Sequence, residues 1–264
     1  MRRLLHRLQF EYDQGGIRHV LEGGVEKLFM DAMRSYDPLY EKIAPRYFQW
    51  RSSNDILQYD HPPDPFKVEY VDLDRIVERS GRPWPEYLNR RKLFGKVLDG
   101  DWDVPEKRIE DEPIYQAAVE RFVDGKQWEE TEYFSERISR MNHGEHTPWL
   151  YESRDDLLSR LNQFEGLYNR IEEEGYRTQA ELIDQTGDTT GGLYPKGLDE
   201  VAVDIGRGGQ LLYADGTHRL AIAKLLDLDA IPVVFFVRHT QWMEHRDAVF
   251  NRDLDTSDHP DLRE

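Results

Sequence analysis

Between Arg154 and Glu174 apolar side chains return every three or four positions, at Leu157, Leu158, Leu161, Phe164, Leu167, Tyr168 and Ile171. At about 3.6 residues per turn these positions share one face. The spacing therefore predicts an amphipathic helix over 154–174, closed by Gly175. Beyond it the period changes. "EVAVDI" (200–205) alternates β-branched residues, "GRGG" makes a turn, "QLLYA" (210–214) is a second strand, and "AIPVVFFV" (230–237) is a third. Between the last two strands the run around 217–226 returns to helical spacing. Upstream, a helix over 113–123 has Pro113 in its first turn and Gly125 just past its end. Another is predicted from Trp128 to Met141. "KVL" before "DGDWD" reads as a short strand. Helices first and strands afterwards predict an α+β chain.

The front of the chain is less regular. Residues 1–50 read as helical pieces broken at Gly15-Gly16 and Gly23-Gly24 and stopped near Pro38 and Pro45, and 51–92 as a polar, Pro-rich linker around "DHPPDPF". Inside that linker "KVEYVDLDRIV" fits a strand and a helical turn. The main domain is expected over 93–240, with an acidic tail at 241–264.

Charge narrows the partners. The formal net charge is -17, and only nine of the 35 basic residues are Lys. An acidic, Lys-poor surface suits a salt-rich cytoplasm, since carboxylates hold water and cations while long Lys stems add apolar surface. It argues against broad nucleic-acid binding, which needs a basic face. There is no cysteine, which rules out disulfides, thiolate metal sites and a cysteine nucleophile. No run reaches the roughly 18 apolar residues of a membrane span, and the start lacks the apolar core of a signal peptide. "MRRLLHRLQF" nevertheless puts Leu4, Leu5 and Leu8 on one face among Arg2, Arg3, His6 and Arg7. Two readings fit: a helix packed on its own domain, or peripheral contact of residues 1–30 with an anionic membrane surface, which would place the protein at the inner face of the cytoplasmic membrane.

The densest chemistry lies in "LLYADGTHRLAIAKLL" (211–226). A helix start exposes unpaired N–H groups and the positive end of the peptide dipole, and a glycine before it lets an anion come close. Gly216 supplies that approach, Thr217 a hydroxyl, His218 an imidazole N–H, and Arg219 a planar fork suited to phosphate. The alternative is simpler: Asp215 and Thr217 cap the helix while His218 and Arg219 meet solvent.

The order of hairpin, D-G-T-H-R, apolar helix and I-P-V strand resembles the ParB/sulfiredoxin superfamily over roughly 157–237. "LYNRIEEEGYRTQAELI" is similar to the segment that precedes that family's first hairpin strand. The resemblance implies a small mixed sheet with packed helices, preceded here by a mainly helical N-terminal region. It also implies a loop–helix junction that holds nucleotide phosphates, with Gly216, Thr217, His218 and Arg219 facing ATP, ADP or CTP with Mg²⁺. Sulfiredoxins carry their reacting cysteine directly before His-Arg; Thr217 stands there in this chain, so sulfinic acid repair is excluded. ParB partition proteins carry a helical DNA-binding domain downstream, whereas only 27 residues follow Val237. The remaining activity of the superfamily is phosphoryl transfer to a small hydroxylated substrate, as in the serine kinases that resemble ParB, with Asp215 as the carboxylate and His218 beside it. A nucleotide-sensing module without chemistry, or a DNA-associated ParB-like protein, are the alternatives.

Further candidates lie outside this junction. Asp101 and Asp103 flank Trp102, either as paired carboxylates or as an ordinary turn. Asp204 and Arg207 are read as turn residues of the hairpin, with Arg207 a possible addition to the site. Glu129 opens the helix at Trp128, where an acid also suits the dipole. Arg238 and His239 leave the last strand as charges for an anion or as solvated ends. His143 and His146 have a metal-like spacing, but lack further ligands, so no metal site is expected.

Overall fold

The structure, a computed structural model, describes residues 55–82, 93–105, 107–143, 151, 153–187, 196–252 and 259–263. The helical pieces expected over 1–50, with the membrane-facing stretch at 1–30, lie outside the described residues, as does His146.

The period-2 segments form the sheet. β1 (Val68–Asp72), β2 (Ile76–Arg79), β3 (Lys96–Leu98), β4 (Val201–Ile205), β5 (Leu211–Asp215) and β6 (Ala230–His239) make one mixed sheet ordered β1-β6-β4-β5-β2, with β3 also paired to β6. β4 and β5 form the antiparallel hairpin, and β4 runs parallel to β6. β1 pairs antiparallel with the first half of β6, and β3 parallel with its last residues. Alternation sorts the side chains. Val201, Val203, Ile205, Leu211, Tyr213, Ile231, Val233 and Phe235 pack on one face, while Ala202, Leu212, Val234 and Phe236 pack on the other with Phe94 and Trp102. Both faces are buried, which explains why "AIPVVFFV" reads as a continuous apolar run rather than an alternating one.

Helices build a further layer. α1 (Pro113–Ala118), α2 (Glu132–Asn142), α3 (Arg154–Glu174), α4 (Gln179–Thr186), α5 (Thr217–Leu225) and α6 (Thr240–Asn251) follow in chain order. α5 lies between layers: Leu220 and Ala223 join the sheet core, whereas Ile222 joins the cluster formed by α1, α2 and α3. A helix apolar around most of its circumference is a buried one. α3 has the bounds its spacing predicts, with Ser153 capping its start and Gly175 at its end. The helix expected over 113–123 passes into a π-helical turn at Val119–Val123, and that expected from Trp128 opens with a 3-10 turn before Thr131 caps α2.

Two stretches are more structured than the sequence suggests. Besides the strand and helical turn that "KVEYVDLDRIV" fits, found as β1 and the turn at Leu73–Arg75, the linker region contributes β2, and both strands belong to the sheet itself. The segment expected as an acidic tail holds α6 and, at Pro260–Leu262, a buried 3-10 turn.

Candidate functional site

β5 ends at Asp215, and Gly216 turns the chain into α5. Gly216 has φ +79°, a conformation that favours glycine, and a Cβ there would lie 3.0 Å from the Val201 Cα. Its open side thus faces β4 as well as the helix start. Asp215 Oδ1 accepts the Gly216 N–H at 2.8 Å. Among the described residues the N-cap positions of α5 and α1, Gly216 and Glu112, provide no side-chain cap, whereas Thr131, Ser153, Thr178 and His239 accept N–H groups at the starts of α2, α3, α4 and α6. The first turn of α5 presents the positive end of the helix dipole.

His218 stands at this start as an exposed residue, with its ring edge-on to buried Phe164 of α3 at 5.3 Å between centroids. Protein crowds the imidazole and Arg160 and Arg219 lie nearby, so it is held below its ordinary pKa. At neutral pH it is uncharged and donates one N–H.

Arg219 is directed elsewhere. Its Nη1 donates to the Asp199 carbonyl, its Nη2 lies 3.3 Å from Asp199 Oδ1, and Nη1 lies 3.5 Å from Glu200 Oε2. The fork expected on phosphate anchors α5 to the residues that lead into β4; a phosphate would have to compete with that network. Behind Arg219, Glu200 is wholly buried, and burial pushes its carboxyl up to about 7 although the Gln179 N–H and Arg219 pull it down. Tyr176 packs against the same guanidinium, and burial raises its hydroxyl. Glu200 and Tyr176 escaped the sequence reading because their only signal is tertiary.

The remaining candidates converge at the other end of the sheet. Arg207, in the hairpin turn, grips Asp103 through Nε and Nη2 at 2.7–3.1 Å and reaches Asp101 at 2.7 Å and the Gly100 carbonyl at 2.9 Å. The bonds from Arg207 hold the Asp103 carboxyl down at about 2. His239 Nε2 lies 3.0 Å from the Gly100 carbonyl and Nδ1 accepts the Gln241 N–H, so the proton sits on Nε2. Arg238 is buried against Asp261, with Nε–Oδ1 at 3.0 Å. β4 starts beside Asp215 and ends beside Leu211 and Arg238. This cluster is thus roughly 14 Å, the length of β5, from the start of α5. Asp101, Asp103 and Arg207 clasp the loop after β3 to the hairpin turn, with His239 at the end of β6 held to the same Gly100 carbonyl, whereas Arg238 pairs with Asp261; none of them forms a second half of the α5 site. Asp204 is likewise no turn residue: it is buried in β4 and pairs with Arg82 at 2.9 Å. Glu129 pairs with Arg154 at 3.2 Å on the helical layer. His143 Nδ1 lies 2.7 Å from the Ser139 carbonyl, and among the described residues no three His, Asp or Glu gather as a metal site.

Comparison of the chain with protein-family models, with curated proteins and with solved structures found no match. No described helix is long and apolar enough to cross a membrane.

Proposed function

We propose that this is a ParB/sulfiredoxin-like protein that binds the phosphates of a nucleotide at the start of α5 and transfers a phosphoryl group to a small hydroxylated molecule. The uncapped opening of α5, with exposed His218 beside it, carries the reading. Backbone N–H groups of the first turn would take the phosphate oxygens, and His218 would add one neutral donor. The succession of antiparallel hairpin, buried helix and a strand parallel to the first supports the kinship. Mg²⁺ would arrive on the nucleotide and need only Asp215 from the chain, in keeping with an ion usually held by one or two carboxylates and phosphate oxygens. When bound it would neutralise charge on the phosphates. The bond between Asp215 and the Gly216 N–H favours a second reading, a nucleotide sensor without chemistry, because that carboxylate is already engaged.

Calorimetric titration with ATP, ADP and CTP, each with Mg²⁺ and in concentrated KCl, tests the site. At least one should bind, and His218→Ala should weaken it about three- to tenfold, the loss of one neutral hydrogen bond. Absence of binding by all three would end the proposal. Consumption of the nucleotide only with a hydroxylated acceptor distinguishes the transferase from the sensor.

A further inference from the structure

The second half of α3, the connector after it, α4 and Arg219 of α5 enclose a cavity of about 30 Å³. At the roughly 10–15 Å³ that one water needs, it holds about two atoms of oxygen size. Tyr176 lines it. The Tyr176 ring packs against both the sheet core and the helical cluster, whereas its hydroxyl is buried and has no hydrogen-bond partner. A buried hydroxyl left unmatched costs free energy, and native structures keep few of them. A polar group within the cavity is what can meet it.

The lining says which kind. Three arginines, Arg170, Arg177 and Arg219, border the cavity with one carboxylate, Glu174, in a chain that otherwise holds 52 acidic residues to 35 basic ones. Arg177 is engaged by Glu174 at 3.5 Å and by Gln185 Oε1 at 2.6 Å. Asp199 and Glu200, behind Arg219, would balance the remainder if both were ionised. Burial pushes Glu200 up to about 7, so near neutral pH the wall keeps part of its positive charge. Leu167, Ile171 and Leu182 make the rest of the wall largely apolar. α4 buries none of its own residues, so it can shift to admit a ligand without uncovering core.

We propose that this cavity binds the carboxylate of a small acid that carries a short apolar chain. Tyr176 donates its O–H to one oxygen, exposed Arg170 closes on the other from the rim, and Arg219 adds its charge without leaving Asp199. The chain lies on Leu167, Ile171 and Leu182. Two oxygens match the space, whereas a phosphate brings four. The cavity begins one turn of α3 beyond Phe164, on which His218 packs, but its chemistry does not depend on a nucleotide at the start of α5.

Calorimetric titration of the full chain with 3-methylbutanoate, acetate and inorganic phosphate, at constant ionic strength, reads the cavity directly. 3-Methylbutanoate should bind about tenfold or more tightly than acetate, because it buries three further carbons. Tyr176→Phe, which keeps the ring, should weaken it about tenfold, the loss of a hydrogen bond to a charged group. Arg170→Gln should weaken it several-fold, and as Arg170 is exposed this variant keeps the test valid if Tyr176→Phe does not fold. Arg154→Gln, about 24 Å away along α3, should change nothing. If no acid binds, water alone meets the Tyr176 hydroxyl and the proposal is wrong. Equal affinity for acetate, preference for phosphate, or binding that ignores both the Tyr176 and the Arg170 variants overturns it as well. Nucleotide titrations run in parallel separate the two proposals: failure of ATP, ADP and CTP to bind leaves the acid site standing. If nucleotide displaces 3-methylbutanoate and Arg170→Gln weakens both equally, the cavity belongs to the nucleotide and the separate acid site is wrong.

Discussion

A single glycine shows how residue identity and tertiary context divide the work. In the sequence Gly216 stands before a helix with His218 and Arg219, and suggests close approach by an anion. The structure adds a second demand, because a Cβ at this φ of +79° would meet the Val201 backbone at 3.0 Å. Gly216→Ala should therefore destabilise the fold by at least about 1 kcal/mol from backbone strain alone, and more from the contact with β4. Urea denaturation of the two proteins checks this. A variant as stable as the parent would mean that the turn relaxes freely and that the glycine is there for a ligand. Arg219 teaches the converse. Its residue type and position suit a phosphate, yet what its fork meets, Asp199 and Glu200, depends on where the chain before β4 arrives.

At the scale of elements, the C-terminal 3-10 turn is a clamp on β6 and α6. Asp261 accepts from Arg238 and, at 2.8 Å, from Trp242 Nε1, and its carbonyl accepts from Arg246. His259 Nδ1 accepts the Asp261 N–H while Nε2 lies 3.0 Å from the Gly209 carbonyl, so the buried ring is neutral with its proton on Nε2. Burial holds His259 down at about 4. An unfolded histidine takes its proton near pH 6.5, before the folded one does, so this contribution is complete above about pH 6.5 and is lost as pH falls toward 4. The loss should reach about 2–3 kcal/mol, and His259→Asn should flatten that part of the stability–pH curve. Asp261→Ala should cost more, about 3–5 kcal/mol, because Arg238 would remain buried without its partner. Equal stability–pH curves for parent and His259→Asn would show that the ring tolerates its proton in place.

For the molecule as a whole, a net charge of -17 is self-repelling unless counter-ions gather. Melting followed by circular dichroism should therefore move to higher temperature between dilute buffer and molar KCl, by several degrees or more, since about 1 kcal/mol shifts a chain of this size by about 2–4 °C. The internal pairs Arg82–Asp204 and Arg238–Asp261 are shielded from salt, so screening acts mainly on the surface. A midpoint that stays level or falls would assign the acidity to solubility alone.

What the sequence determined by itself is whatever depends on near neighbours. α3 and the strands around 201–205, 211–215 and 230–239 follow from periods of 3.6 and 2, and the change of period marks where helices give way to the sheet. The turn at Gly216 and the helix after it are equally local. Tertiary structure decided what requires distant chain segments to meet. It drew β2 out of a polar stretch, because main-chain pairing with β5 can stabilise a strand whose own pattern is weak. It closed Asp103 around Arg207, set Asp261 under Arg238, and turned Arg219 inward to Asp199. A charge chooses its partner by distance in space, and no period along the chain encodes that distance.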